Sequence, residues 1–213
     1  MKRDTYLSID LDYWKESNTT TGMVNFLKKV KQINPKPVVV KSHNELIHHV
    51  HDTKGVNRVV NVDYHSDITD LSNSSHLKKH FNEGTWINYI NLKENSEYVW
   101  HYPHKDSCTD FTGYCHQNHN PFNKHSSIHD DFSWECVKKR KGLPSDAELA
   151  RVKDVGICIS PNWTGIKVLN HLYALAKLEM IDPNDITKLF IPDNKVDIHK
   201  LDREIFTNII GQR

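Results

Sequence analysis

A chain of 213 residues with Lys+Arg 28 against Asp+Glu 27 has a formal net charge of +1, so it offers no broad field for nucleic acid or an anionic membrane. Hydrophobic residues make up 37%, lean for a globular domain, yet runs such as RVVNV and VGICIS suffice for a core and exclude global disorder. No apolar stretch approaches the roughly 20 residues of a membrane helix, MKRDTYLSID lacks the apolar segment of a secretion signal, and 4 Cys make no disulfide scaffold, so a cytoplasmic protein is expected. The unusual count is 15 His, which points towards metal chemistry.

Residues 6–12 (YLSIDLD) read as a short buried strand running into charge. A helix over 21–31 follows, with Met23, Phe26, Leu27 and Val30 at helical spacing, and Pro35 and Pro37 end it. Strand 38–40, helix 44–51 and strand 58–62 come next, the last again meeting charge at Asp63. Residues 84–93 read as helix and 97–102 as a fourth strand. The stretch at about 103–131 is rich in His, Asn, Ser and Asp without periodicity, which marks an irregular His/Cys-rich insertion. An edge strand over 133–139, a short helix over 145–151 and a strand over 155–160 precede an amphipathic helix over 166–180 and a last helix over 198–210. Short apolar strands alternating with helices, without repeats or linkers, predict one α/β domain over 1–213, with a mostly parallel sheet and helices on both faces. Ligands of such sheets bind at the carboxyl ends of the strands.

Three of those ends carry metal-ligand residue types. The first strand gives Asp10-x-Asp12, the second gives His43, and the third gives Asp63-x-His65-x-Asp67. Alternate residues of a strand share a side, so Asp10 and Asp12 are expected to face one cavity, as are Asp63 and His65. Four carboxylates gathered with two imidazoles at one sheet edge would repel one another strongly unless a cation sat between them. The mixed donor set suits Mn²⁺, Fe²⁺ or Zn²⁺ better than Ca²⁺, and the lack of Cys in these motifs argues against a thiolate site. There are enough ligands for two ions, which would share and activate one water.

VNVDYHSDI resembles the D-A-H-x-D segment of arginases and other ureohydrolases, SIDLDYW resembles their S-x-D-x-D segment, and VVVKSHNELIHHV resembles the segment with their single His ligand. GTWINYI, YVWHYPH and CISPNW resemble pieces of the branch that includes peptide arginases, which convert peptidyl arginine to ornithine. The resemblance implies a three-layer arginase-like fold with the metal site at the C-terminal ends of the strands. It implies one ion on His43, Asp63, Asp67 and Asp10, and another on His65, Asp63, Asp10 and Asp12, with Asp67 also orienting the water. Two departures stand out: D-x-D precedes D-x-H-x-D here instead of following it, and Tyr13-Trp14 replaces the usual Asp-Pro.

A guanidinium substrate needs a carboxylate partner, and the departing amine needs a proton donor. Glu45 and Asn162 are candidates for substrate contact, with Glu83, Asp70 and Asp106 as further acids, and Trp86, Trp100 and Trp163 as candidate walls. His76, His80, His101 and His104 are candidate proton donors. Cys108, Cys115, His116 and His119 are zinc-type residues at a spacing that matches no common zinc module, while Cys136 and Cys158 read as buried thiols. The run 138–141 (KKRK) reads as a solvated face. The expected function is a two-ion, Mn²⁺-dependent hydrolase of a guanidino C–N bond, releasing urea from an arginine-containing peptide or a small guanidino substrate. The alternatives are a deacetylase-like amide hydrolase with one Zn²⁺ on Asp63, His65 and one more acid, or a non-catalytic module stabilised by metal. No nucleic-acid or membrane partner is expected, and no oligomeric state follows. The short chain favours an open cleft, which suits a peptide.

Overall fold

The computed structural model describes residues 2–17, 19–67, 84, 86–90, 96–103, 137–165 and 167–190. Six strands, β1 (Thr5–Asp10), β2 (Val38–Val40), β3 (Arg58–Val62), β4 (Glu97–Tyr102), β5 (Val137–Lys141) and β6 (Val152–Cys158), form one sheet in the order β2-β6-β1-β3-β4-β5. Every neighbouring pair is parallel. The α/β expectation therefore holds, with a sheet wholly parallel among the described residues. β1 is buried along its whole length, the pattern of a central parallel strand covered on both faces.

The covering helices are α1 (Thr21–Ile33), α2 (Leu46–Asp52), α3 (Asp146–Leu149), α4 (Pro161–Thr164), α5 (Lys167–Lys177) and α6 (Ile186–Phe190). Alternation along β1 divides the core. Leu7 and Ile9 pack with Met23, Phe26, Leu27 and Val30 of α1 and Leu169, Leu172 and Leu175 of α5. Tyr6 faces the other way, with Leu46, Ile47 and Val50 of α2 and with Trp86, Tyr98 and Trp100. Each fully buried aliphatic side chain here stabilises the fold by roughly 1.5–3 kcal/mol.

Several boundaries move for physical reasons. The first strand stops at Asp10, because Leu11–Trp14 curls into a 3-10 turn whose Asp12 N–H is taken by the Asp10 side chain. In place of a helix over 84–93, Trp86–Tyr89 is a single 3-10 turn that fully buries Trp86 and Ile87, and residues 91–93 lie outside the described ones. The edge strand lies later than 133–139, at Val137–Lys141, so the basic run forms part of the sheet edge; its exposed Lys138, Arg140 and Lys141 discourage pairing with another chain. The long helix is shorter than 166–180, and the helix expected over 198–210 and the insertion at 103–131, beyond residue 103, lie outside the described residues. Among the described residues, no helix is long and apolar enough to cross a membrane.

One glycine governs how α2 seats on the sheet. A Cβ on Gly156 in β6 would meet the Tyr6 hydroxyl and would lie 2.6 Å from Leu46 Cδ2, so only glycine lets the start of α2 sit this close. Gly156→Val is expected to destabilise the protein by about 1–3 kcal/mol, read as a drop in thermal denaturation midpoint. An unchanged midpoint would show that α2 does not depend on this approach.

Candidate metal centre

Two strand ends share one piece of turn chemistry. Asp10 Oδ1 accepts the N–H of Asp12 at 2.9 Å, and Asp63 Oδ1 accepts the N–H of His65 at 2.8 Å. An Asp that bonds the backbone two residues on makes an Asx turn. Asp-x-Asp and Asp-x-His thus owe their spacing to turns beyond the strands and not to strand alternation, which corrects the expected mechanism while keeping the convergence. In both turns the second carboxylate oxygen faces inwards, towards His43.

That inward side is crowded. His43 Nδ1 lies 3.4 Å from Asp10 Oδ2, 3.2 Å from Asp63 Oδ2 and 2.7 Å from Asp67 Oδ2. Despite these distances His43 Nδ1 makes no hydrogen bond of acceptable geometry, and neither does Asp12 Oδ2, which lies 3.0 Å from His65 Nδ1. Atoms this close that do not point at one another converge on points between them, as ligands do. Asp10, Asp12, His43, Asp63 and Asp67 are all buried, and only His65 is partly open. Among the described residues, three groups could hold a metal ion: Asp12, Asp63 and His65; His43, Asp63 and Asp67; and Asp10, His43 and Cys158. The orphaned Nδ1 and Oδ2, both hard or borderline donors, fit a divalent cation.

Neighbouring groups fix each ligand. Ser8 Oγ lies 2.6 Å from His43 Nε2 and can accept its N–H, which leaves Nδ1 for the cluster. Ser160 donates to Asp10 Oδ2 at 2.5 Å, Asn61 Nδ2 to Asp63 Oδ2 at 3.1 Å, and the Tyr64 N–H to Asp12 Oδ1 at 3.2 Å. Trp86 Nε1 donates to Asp67 Oδ2 at 2.5 Å, and its ring packs against His43 with centroids 4.7 Å apart. Trp100 Nε1 and the Tyr98 hydroxyl donate to the carbonyls of Asp63 and Ser66 at 3.0 and 2.7 Å, holding the segment between them. Asp67 and Ser160 are in the left-handed region, at φ 53 and 46. Such backbone costs about 1–3 kcal/mol each and persists where the surroundings impose it, commonly at functional positions.

Burial raises the Asp10 pKa to about 7, with Asp12 adding to the rise and His43 and Ser160 opposing it. Burial likewise lifts Asp63 well above the carboxylate range, reinforced by Asp67, Asp12 and Asp10. At His43 burial favours the neutral ring, but the surrounding carboxylates, Asp67 foremost, prevail and raise its pKa well above the usual value. Without a metal, the cluster therefore holds protons in place of cations.

The remaining candidates separate. His101 does not join the centre: its Nδ1 lies 2.8 Å from the Gly142 carbonyl and its Nε2 3.3 Å from Glu148 Oε1, a carboxylate also held by Arg58 and Arg140. Glu45 is exposed and accepts the Ser42 N–H at 2.8 Å, so it caps the turn at His43 instead of facing a substrate. Trp86 is a hydrogen-bond donor to a ligand and fully buried, not a wall open to substrate; Trp100 is fully buried too. Asn162 is exposed on α4, and Trp163 beside it is 50% exposed, with its ring 5.0 Å from that of His65. His76, His80, Glu83, Asp70, Asp106, His104, Cys108, Cys115, His116, His119 and Cys136 lie outside the described residues.

Two residues join the candidates, one of them Cys158, which is the buried free thiol expected. Cys158 borders the ligands, so the centre is not free of sulfur; burial, with Asp10 beside it, raises its thiol pKa well above the usual value. His171 on α5 is buried with Nδ1 unpartnered, and burial together with Lys167 lowers its pKa to about 4. It falls within the amphipathic helix expected over 166–180, where nothing local marks it. No family model matches the chain, and no curated protein or solved structure matches it.

Two outcomes are expected. Groups whose pKa is raised on folding stabilise most fully below their unfolded value, and that stability is lost as pH rises through the folded value. The metal-free protein should therefore lose stability as pH rises from about 4 towards about 7, the interval set by Asp10, and a divalent ion should restore it. A metal-free melting temperature that rises over this interval would contradict the raised pKa values. Trp86→Phe, which removes only the donor to Asp67, should weaken ion binding by about 10–100-fold in a calorimetric titration, and unchanged affinity would show that the indole does not hold the ligand.

Proposed function

We propose that this protein is a binuclear metallohydrolase acting on a guanidino C–N bond, with peptidyl arginine as substrate and ornithine and urea as products. One observation carries the reading: Asp63 belongs both to the group with Asp12 and His65 and to the group with His43 and Asp67. A carboxylate shared by two ligand groups is what a bridged pair of ions requires. Excess negative charge and an oxygen and imidazole donor set support Mn²⁺, with Fe²⁺ or Zn²⁺ as substitutes.

His43, Asp63 and Asp67, with Asp10 beside them, would hold one ion, and Asp12, Asp63 and His65 the other. When bound, the pair lowers the pKa of water and stabilises negative charge developing on the substrate. The chain's own residues keep the ligands in place: Ser8 orients His43, Ser160 orients Asp10, and Trp86 fixes Asp67. In the overall reaction water adds its oxygen to the guanidino carbon, the bond from that carbon to the side-chain nitrogen breaks, and a proton passes to the departing amine. The choice of a guanidino group rests on the resemblance of VNVDYHSDI and SIDLDYW to the ureohydrolase segments.

Elemental mass spectrometry on protein loaded with Mn²⁺, paired with a urea assay on arginine-containing peptides, tests this reading. Wild type is expected to hold two equivalents and release urea. Asp12→Ala should lose one equivalent and Asp63→Ala both, each without urea. Urea release that survives Asp63→Ala overturns the mechanism. Two tightly held ions with no urea from any guanidino compound would identify a metal-stabilised binding module instead.

A further inference from the structure

Beside the metal centre sits a cation that no acid accounts for. Lys15 Nζ lies 3.3 Å from the centroid of the Tyr64 ring and 3.4 Å from His65 Nε2. Neither is an anion, and among the described residues Lys15 pairs with no carboxylate. Its neighbour Glu16 accepts the Tyr64 hydroxyl at 2.7 Å, which holds the ring beneath the ammonium. From the other side Lys167 Nζ donates to the carbonyls of Lys15 and Ser17, tying this short segment to α5. The cation is thus fixed in place, half-buried, and free of the salt bridge that ordinarily keeps such a group there.

Donor counting at His65 makes the position informative, and this step rests on the metal reading above. With Nδ1 turned to Asp12 and an ion, Nε2 must carry its proton. An ammonium has three donors and no acceptor. Two donor groups then stand 3.4 Å apart, an arrangement that an anionic oxygen placed against both would satisfy. The half-exposed Trp163 ring, packed against the same imidazole, supplies a flat apolar surface at this point.

We propose that Lys15 is the specificity-determining residue for a carboxylate carried by the substrate, one imidazole's width from the reacting centre. The substrate class is therefore a guanidino compound with a neighbouring carboxylate, either the α-carboxylate of the arginine itself or an acidic residue beside it in a peptide.

Two matched probe pairs test this by calorimetry on the full chain with excess Mn²⁺. Arginine against agmatine differs by the α-carboxylate alone, and N-acetyl-Asp-Arg-amide against N-acetyl-Ala-Arg-amide differs by an acidic neighbour. Wild type is expected to prefer the anionic member of at least one pair by about tenfold or more, the scale of one charge-assisted hydrogen bond. Lys15→Met should erase that preference and Lys15→Arg retain it, with two equivalents of Mn²⁺ in each. The pair that shows it names the source of the carboxylate. No preference in either pair, no binding of any probe, or a preference that survives Lys15→Met overturns the proposal. A preference that depends on Lys15 without urea release from any probe would leave the carboxylate site standing and sink the hydrolase reading.

Discussion

Carboxylates brought together away from water raise one another's energy, and this repulsion is the constraint around which the carboxyl edge of the sheet is organised. Asp10, Asp63 and Asp67 all come within 3.4 Å of one imidazole nitrogen. Nothing in their mutual contacts favours that arrangement. It is imposed by donors to the carboxylates and to the backbone around them, namely the Asp12 and His65 amides, Ser160, Asn61, Trp86 and Trp100. Each such donor orients an acid without neutralising it. The inner oxygens are therefore kept aimed inwards, as a cation site needs and a structural acid cluster does not.

The contrast with the opposite face is instructive. Glu148 is also a recessed acid, yet Arg58, Arg140 and His101 all contact its Oε1, and it closes a capping box with Ser145. Burial opposes its ionisation, but the Ser145 backbone bond, His101 and Arg140 bring its pKa down to about 2. Here two guanidinium groups and His101 surround the acid, and both of its oxygens are engaged. The two clusters differ in sign balance, and that balance separates a fold-holding network from a centre that calls for a ligand from outside.

Much of this was legible because the signals were local. The spacing of Met23, Phe26, Leu27 and Val30 specified the buried face of α1, and apolar runs ending in Asp specified two central strands. The acids and His43 were found because their residue types are unusual at strand ends. His101 misled for the same reason: it too closes an apolar strand, but its side chain falls on the face that holds Glu148, since it stands in register with Val62 and alternates with Trp100. Asp12 was chosen on strand alternation, but a period of two residues fits an Asx turn as well, and the turn is what places it. Ser8 was visible only as part of the S-x-D-x-D segment and Cys158 only as a buried thiol, while Asn61 carries no local mark. Ser8 and Cys158 matter because they lie beside residues tens of positions away in the chain, His43 and Asp10.

The strand order has a consequence for how the centre comes into being. All six acidic and imidazole ligands lie within the first 67 residues, and β1 can pair with β3 as soon as both exist. Yet β2, which leads to His43, is hydrogen-bonded to neither of them; among the described residues it pairs with β6, which stands between it and β1. Ser8, which orients His43, stands in register with Gly156 of that same late strand. The imidazole must cross over a strand that is synthesised roughly a hundred residues after it, and such non-local pairing is slow to form. An emerging chain thus carries all six of these acids and imidazoles long before it can gather them, and a complete cluster certifies that β6 has been inserted.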